Sequence, residues 1–290
     1  MTILLDGGMG QELRSRGLTG DWLWSAHTLM AAPAAVRDLH QEFIAAGAEI
    51  VTASNYAATP QRLAQAGAAH RFGEIVGLAV ELAREARDRA GKKGVRVAGS
   101  LPPLLASYEP NADNPRRMER EYAEIADALG PVDLFICETL SSAAEARAAA
   151  RAGAARGKPV WVSWTLRDEC DGRLRSGESV AEAVAAVADI PGVEAMLFNC
   201  CSPEAIGAAL PDLRAHAGRA IGAYANAFLP IDKAWTRKDG KFRDLRPDMT
   251  AAVFAGLARP WLAGGLDIVG GCCGASPGHI AALRALLDAA

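Results

Sequence analysis

The sequence contains no long apolar run and no cluster of positive charge, and both absences narrow its function. No stretch reaches the ~18 uncharged apolar residues of a membrane-spanning helix. Residues 1–6 lack the basic region that opens a secretory signal, so we expect a cytoplasmic protein. A net charge of −3 and the lack of a Lys/Arg run give no attraction to phosphate backbones or anionic lipid. We therefore expect no nucleic-acid partner and no membrane association.

Cysteine is scarce and unevenly placed. Six cysteines are too few to build a disulfide framework for 290 residues. Four of them form two adjacent pairs, Cys200-Cys201 and Cys272-Cys273. Neighbouring cysteines bond each other only through a strained linkage, so these pairs favour metal ligation or redox chemistry.

Short β-like runs alternate with Ala-rich helical stretches along the whole chain. Eight such units follow one another with no Gly/Ser-rich or Pro-rich linker, so we expect one domain over residues 1–290. The chain is close in length to the ~250 residues of an eightfold barrel. The pattern predicts an α/β fold, a single (β/α)8 TIM-type barrel. The predicted strands are 2–6, 49–54, 95–99, 133–137, 159–164, 193–198, 219–224 and 266–270. The predicted helices are 33–46, 70–91, 115–129, 142–156, 178–188, 203–216, 247–263 and 276–288.

Proline marks the start of several predicted helices, because the first helical position needs no backbone N–H donor. These prolines are Pro33, Pro115, Pro203, Pro247 and Pro277. Glycines that can adopt a left-handed cap follow several helices. Two longer inserts, 7–32 and 225–246, follow the first and seventh strands and are expected at the carboxyl end of the barrel, where substrate loops belong.

Polar side chains and thiols stand at the ends of the predicted strands. In a parallel barrel these ends share one rim, so thiols from the sixth and eighth strands would meet there. Three thiolates with one open position are typical of a catalytic zinc site, since zinc accepts soft ligands and has no redox chemistry of its own. Glycines flanking Cys272 and Cys273 permit the turn that presents both sulfurs to one ion. The strand-end residues are Asp6, Asn55, Ser100, Glu138, Ser163, Cys200, Asn226, Cys272 and Cys273.

Three segments resemble the homocysteine S-methyltransferase family. Residues 5–13 (LDGGMGQEL) resemble its opening, residues 198–200 (FNC) its Asn-Cys element, and residues 270–274 (GGCCG) its most diagnostic signature. Residues 46–52 and 136–139 also resemble the family, in the expected order. The resemblance covers essentially the full chain.

The resemblance implies a metal site and a substrate site. Cys200, Cys272 and Cys273 would hold Zn²⁺, and Asp6 and Glu138 would anchor the amino group of homocysteine. Asn226 would be a further substrate-binding residue, although it stands in a Tyr-Ala-Asn sequence where the family more often has Tyr-Pro-Asn. The implied partners are small molecules, homocysteine and a methyl donor; the oligomeric state stays open.

The implied reaction moves a methyl group from a sulfonium-type donor, with S-methylmethionine or S-adenosylmethionine favoured, to the zinc-bound thiolate of homocysteine, and gives methionine. A free thiol has a pKa of about 8.5, and binding to zinc deprotonates it into a nucleophile. A sulfonium could rest on aromatic faces by cation–π attraction. The aromatic candidates in or near the mouth loops are Trp22, Trp24, Tyr56, Trp164 and Trp235.

Two other functions fit the same residues. The chain could be the homocysteine-activating module of a split cobalamin-dependent methionine synthase, which requires a partner chain with a folate or cobalamin domain. It could also be a non-catalytic zinc or redox protein whose cysteine pairs oxidise.

Several residues also have a purely structural interpretation. Asp6 could cap a turn, and Glu138 could end its strand beside a partner or solvent. The tryptophans could pack loops. We expect Cys137, Cys170 and Cys201 to contribute packing rather than ligation.

Overall fold

Eight parallel strands form one sheet in the order β1-β8-β7-β6-β5-β4-β3-β2. The computed structural model describes residues 1–18, 25–111, 113–230 and 243–289. A parallel bridge between Leu5 and Ile50 joins the first and last strands of that order, and the Asp6 amide donates to the Ile50 carbonyl at 3.1 Å. The sheet therefore closes, and the predicted (β/α)8 TIM-type barrel is confirmed. The strands are β1 (Ile3–Leu4), β2 (Ile50–Thr52), β3 (Arg96–Leu101), β4 (Leu134–Leu140), β5 (Val160–Trp164), β6 (Val193–Asn199), β7 (Ala220–Ala225) and β8 (Ile268–Gly271).

The helices lie between the strands in sequence, as the alternating pattern predicts. All eight predicted helices are present, although the one predicted over 70–91 is divided into a 3₁₀ turn and a longer α-helix. They are α3 (Pro33–Ala45), the 3₁₀ turn Ala69–Arg71 with α5 (Phe72–Ala90), α6 (Pro115–Leu129), α7 (Ala143–Ala154), α8 (Val180–Val187), α9 (Pro203–His216), α10 (Ala251–Ala263) and α11 (Pro277–Asp288). Three short helices were not predicted, α1 (Met9–Ser15), α2 (Ser25–Ala31) and α4 (Pro60–Gln65).

One predicted helix start is wrong. Pro247 was expected to open α10, but the helix begins at Ala251, and the Thr250 hydroxyl accepts a hydrogen bond from the Val253 amide. The first backbone N–H groups of a helix have no partner within the helix, and a threonine side chain can accept a hydrogen bond from one of them, whereas a proline side chain cannot. The helix therefore starts at the threonine cap. The other four prolines occupy the first turn of their helices, as predicted.

The core has two layers, because alternate strand residues face opposite sides of the sheet. One cluster of side chains fills the barrel interior and includes Leu5, Ile50, Trp161 and Tyr224, with Cys272 packed against it. The larger cluster lies between the sheet and the helices. Among the described residues, no helix combines the length and the apolar character that a membrane-spanning segment needs.

Candidate metal centre and substrate site

Three cysteine sulfurs converge at the carboxyl end of the barrel. Cys200 follows β6, and Cys272 and Cys273 follow β8. Their Sγ atoms all lie within 4.8 Å of one another, and Cys200 Sγ is 3.8 Å from Cys273 Sγ. Tetrahedral zinc with Zn–S bonds of about 2.3 Å separates its sulfurs by about 3.8 Å, so the three thiols fit this ion closely. All six cysteines are free thiols.

Cys200 is the most acidic of the three thiols, because hydrogen bonding to Cys200 raises the pKa of Cys272 and of Cys273 well above the usual range. Hydrogen bonds from Cys272 and Cys273, together with one from the Tyr108 hydroxyl, hold the pKa of Cys200 well below its usual range although the residue is buried. Tyr108 Oη is 3.0 Å from Cys200 Sγ. A soft anionic donor set of this kind suits Zn²⁺ rather than a hard cation such as Mg²⁺ or Ca²⁺.

The backbone around the thiols is held by the last residues of β7 and by the loop that follows this strand. The Cys200 amide donates to the Tyr224 carbonyl at 3.2 Å, and the Cys272 amide donates to the Ala225 carbonyl at 2.7 Å. Ala227 in turn donates to the Cys273 carbonyl at 2.8 Å. Cys200 itself has a positive φ of 54°, a conformation that costs a non-glycine residue about 1–2 kcal/mol. The fold thus imposes a strained backbone where the sulfur must point to its neighbours.

Gly7 and Gly8 pack directly on the cysteine loop. A Cβ on Gly8 would lie 2.6 Å from the Cys272 carbonyl oxygen and 2.9 Å from the Cys273 Cα, and one on Gly7 would lie 2.3 Å from the Ala275 carbonyl oxygen. The Gly8 amide also donates to that Ala275 oxygen at 2.9 Å. A side chain at either position would push away the backbone of residues 272–275. The glycine pair therefore lets the loop after β1 pack closely against the cysteine loop.

Asn199 connects three strand ends beside the three cysteine sulfurs. Its Oδ1 accepts from the Thr139 amide at 2.7 Å and from the Ser163 hydroxyl at 2.8 Å. Its Nδ2 donates to the Thr139 hydroxyl at 2.8 Å and lies 3.8 Å from Cys272 Sγ. The residue is fully buried, so these bonds replace water and fix β4, β5 and β6 relative to Cys272.

Asp6 and Glu138 are buried carboxyl groups at the same end of the barrel. Burial, reinforced by the charge of Glu138, raises the pKa of Asp6 to about 8 despite a 2.7 Å hydrogen bond from the Thr52 amide. Burial likewise raises the pKa of Glu138 to about 7, although the Ser100 hydroxyl donates to it at 2.5 Å. Two acids with raised pKa values favour a bound cation, because an ammonium group would restore their ionised form.

Asn226 has an unused hydrogen-bond donor. Its Oδ1 accepts from the Phe228 amide at 3.2 Å, but its Nδ2 is buried with no partner among the described residues. The Asn226 amide donates to the Cys201 carbonyl at 3.1 Å, which places this residue beside the turn that carries Cys200. The buried side-chain Nδ2 has no acceptor from the residues that the structure describes, and we expect a ligand to provide one.

The family model described as Homocysteine S-methyltransferase matches residues 3–287. The chain belongs to the homocysteine S-methyltransferase family. It is therefore a methyltransferase that acts on a thiol acceptor. Homocysteine S-methyltransferase from Escherichia coli K12 is 32% identical over 98% of this chain and 94% of its own length.

Structural comparison gives the same family. The crystal structure of the metallated form of the homocysteine methyltransferase MmuM from Escherichia coli superposes with a TM-score of 0.81, at 30% identity over 98% of this chain and 96% of that one. Selenocysteine methyltransferase from Astragalus bisulcatus is 26% identical over 98% of this chain and 92% of its own length.

The structure places the aromatic residues proposed to contact the methyl donor in different environments. Trp164 is fully buried in the cluster between sheet and helices, because it alternates with inward-facing Ser163, so its assignment to the mouth is wrong. Tyr56 is half-buried and its hydroxyl lies 2.7 Å from Ser107 Oγ, which keeps it a candidate. Trp22, Trp24 and Trp235 lie outside the described residues.

Sequence reasoning missed a second group of residues at the mouth of this family member. Tyr108 comes from the loop after β3, Arg175 from the loop after β5, and Arg243 from the loop after β7. The Arg175 and Arg243 guanidinium carbons lie 4.7 and 5.2 Å from the centre of the Tyr108 ring. None of the three occupies a strand end or a recognisable motif. The length of insert 225–246 pointed to the loop that carries Arg243, but no signal singled out the residue itself.

Proposed function

We propose that this homocysteine S-methyltransferase transfers a methyl group from a sulfonium-type donor to homocysteine and forms methionine, with Zn²⁺ held by Cys200, Cys272 and Cys273. The observation that carries the proposal is the convergence of three free thiols, within 4.8 Å, beside two buried carboxyl groups. The metallated form of the related Escherichia coli protein supports a metal in this family.

The zinc ion would lower the pKa of an incoming thiol, so that the thiol reacts as a thiolate at neutral pH. The protein's part is to keep the three cysteine sulfurs in place. Asn199 and the glycine pair Gly7-Gly8 hold the backbone on either side of Cys272. This rigid surrounding keeps the sulfurs close together before any ion binds.

Asp6 and Glu138 would bind the ammonium group of homocysteine. Each carboxyl is buried and has a raised pKa, so an ammonium group gains two charged hydrogen-bond acceptors in a site with little water. The unpartnered Nδ2 of Asn226 would donate a further hydrogen bond to the substrate. These contacts orient homocysteine so that its sulfur points to the thiol cluster.

A sulfonium donor suits the charge of this site. In the displacement, the homocysteine thiol releases its proton to solvent, and its sulfur forms a new bond to the methyl carbon. The donor's carbon–sulfur bond breaks, and its electron pair stays on a neutral thioether. An anionic nucleophile and a cationic donor thus give neutral products, and charge neutralisation of this kind is favoured where water is excluded.

The test is methyl transfer by the chain alone. The zinc-loaded protein is incubated with homocysteine and S-methylmethionine, S-adenosylmethionine or betaine, and methionine is detected by mass spectrometry. We expect turnover without a second protein, highest with a sulfonium donor. Turnover that needs a cobalamin-containing partner would support the split-synthase alternative instead. Selenohomocysteine in the same assay measures acceptor choice.

The cysteine assignment has a matched pair of variants. Cys272→Ala is expected to lose both bound zinc and methyl transfer while the far-UV circular dichroism stays that of the wild type. Cys201→Ala removes the neighbour of Cys200, a fully buried thiol that lies outside the cluster, and is expected to keep both. Normal zinc content in Cys272→Ala would refute the ligand assignment.

A further inference from the structure

Two buried arginines share one aromatic ring at the mouth of the barrel. The Arg175 and Arg243 side chains, called here the guanidinium pair, are 11% and 6% exposed. Both stack on Tyr108, and Arg243 also lies 5.0 Å from the centre of the Phe228 ring. Guanidinium groups are costly to bury, so a pair at this depth needs a reason beyond packing.

Within the described ranges, the guanidinium pair has one acidic partner for its two positive charges. Asp168 Oδ2 lies 3.3 Å from Arg175 Nη2 and 3.9 Å from Arg243 Nη2, so two guanidinium groups face one carboxylate. Arg243 Nη1 is buried and has no hydrogen-bond partner among the described residues. A planar guanidinium with unused N–H donors is suited to a carboxylate, which accepts two parallel hydrogen bonds.

Tyr108 places this positive charge next to the thiol cluster. Its ring contacts the guanidinium pair, while its hydroxyl is 3.0 Å from Cys200 Sγ. The mouth therefore has an anionic end at the cysteines and a cationic end at the arginines. A molecule with a positive sulfur and a carboxylate, separated by a short aliphatic chain, matches this arrangement in both charge and orientation.

Homocysteine is poorly placed to use the guanidinium pair. Its amino and carboxyl groups share one carbon atom, so both would bind near Asp6 and Glu138. Neither of those carboxyls forms an ion pair with Arg175 or Arg243 in the described part of the chain. The guanidinium pair is left for the second substrate.

We infer that Arg175 and Arg243 bind the carboxylate of the methyl donor, so that the donor is an onium compound carrying a carboxylate rather than a simple alkyl onium. This inference rests on the proposed function and adds the residues that select the donor. The donor's cationic centre would then face Cys200, and its anionic end would complete the bonding of Arg243 Nη1.

The experiment compares S-methylmethionine with its carboxamide, in which the carboxylate is replaced by a neutral group. Calorimetry gives the dissociation constant of each for the zinc-loaded protein, and steady-state assays give kcat/KM. We expect the wild type to bind the carboxylate at least about tenfold more tightly than the carboxamide, because a hydrogen bond between charged groups commonly contributes that much to affinity. In Arg243→Met the preference should fall to within about twofold, while KM for homocysteine stays unchanged.

Two further variants separate recognition from folding. Arg243→Lys keeps the charge but loses the planar fork, so its preference should lie between those of the wild type and Arg243→Met. Arg173 is an exposed arginine of the same loop as Arg175, and its side chain donates to the Gly177 carbonyl. Arg173→Met should leave the preference for the donor carboxylate intact. Zinc content and the thermal midpoint of each variant report on folding.

Three outcomes would overturn the inference. Equal binding of the carboxylate and the carboxamide by the wild type would show that the donor carboxylate is not recognised, even if methyl transfer proceeds. A raised KM for homocysteine in Arg243→Met, with the donor preference unchanged, would assign the guanidinium pair to the acceptor. Absence of turnover with any donor would overturn the proposed function together with this inference.

Discussion

Asn199 shows how one buried amide positions the reactive end of the barrel. It bonds to Thr139 on β4 and Ser163 on β5, and its Nδ2 lies close to Cys272 Sγ. Removing it leaves a backbone amide and a hydroxyl without acceptors, and each unsatisfied buried group costs about 1–3 kcal/mol. The effect should reach the metal site because the same side chain adjoins Cys272.

We therefore predict that Asn199→Ala lowers the free energy of unfolding by roughly 2–4 kcal/mol and weakens zinc binding. Denaturant titration and competition with a zinc chelator measure the two effects. Asn114→Ala is the control, because Asn114 only caps α6 at the surface. That variant should lose about 1 kcal/mol and keep its zinc affinity. Equal zinc affinity in both variants would contradict the positioning role of Asn199.

The raised pKa of Asp6 predicts how the stability of the fold depends on pH. Its pKa is raised from 3.8 to about 8 by burial, so the folded protein holds a proton that the unfolded chain has released between these values. Stability must then fall as pH rises through this window, by up to about 1.4 kcal/mol per pH unit from this group. Above pH 8 the folded state has lost the proton too, and the decline from Asp6 ends.

Asp6→Asn removes this titration while keeping an oxygen that can accept from the Thr52 amide. Unfolding free energies of the substrate-free protein measured from pH 5 to 8 should decline less steeply in the variant than in the wild type. The variant should also raise KM for homocysteine at least about tenfold, since it loses a charged partner for the ammonium group. If the unfolding free energies of the two proteins declined in parallel with pH, the raised pKa of Asp6 would be refuted.

Residue type and position predicted the cysteine, aspartate and glutamate candidates, because strand ends of a barrel share one rim. Tyr108, Arg175 and Arg243 could not be predicted in this way. They lie in loops, whose paths depend on contacts between distant segments rather than on periodicity. Trp164 was misassigned for a different reason, since neighbouring residues of a strand face opposite sides of the sheet and its side chain lies on the helix side.

At the scale of elements, the loops after β1, β7 and β8 form one unit. The Gly7-Gly8 pair packs on the cysteine loop. The end of β7 accepts a hydrogen bond from the Cys272 amide, and the loop after β7 donates one to the Cys273 carbonyl. The long strands and helices were predicted from periodicity, whereas α1, α2 and α4 were missed. Each spans only six or seven residues, too few for a helical period to stand out.

Gly8→Ala tests this unit. The new Cβ would lie 2.6 Å from the Cys272 carbonyl oxygen and 2.9 Å from the Cys273 Cα, and backbone must move to accept it. We expect zinc affinity and methyl transfer to fall at least about tenfold, as a displacement near 1 Å at a reactive site commonly does. Zinc titration and the methionine assay provide the measurements.

Gly77→Ala is the matched control, since Gly77 lies within α5 and a Cβ there meets nothing within 4 Å. Alanine should stabilise this helix by up to about 1 kcal/mol and leave zinc binding unchanged. Equal losses in the two variants would show that the glycine pair has no specific relation to the cysteine loop.

At the scale of the whole molecule, barrel closure brings the site together. β1 pairs with β8 on one side and meets β2 on the other, so Asp6 and Cys272, which are far apart in sequence, lie at one rim. Cys200 reaches the same rim from β6 through its neighbour β7. No segment of local sequence holds the complete site, and only the closed circle of strands does.

In the proposed site, three protein sulfurs hold zinc and leave a position for the substrate thiol. X-ray absorption at the zinc edge, recorded on the zinc-loaded protein with and without homocysteine, tests this most directly. We expect three sulfur neighbours at about 2.3 Å, from Cys200, Cys272 and Cys273, and one more when homocysteine is added. An unchanged sulfur count on adding homocysteine, or a zinc environment without sulfur, would contradict it.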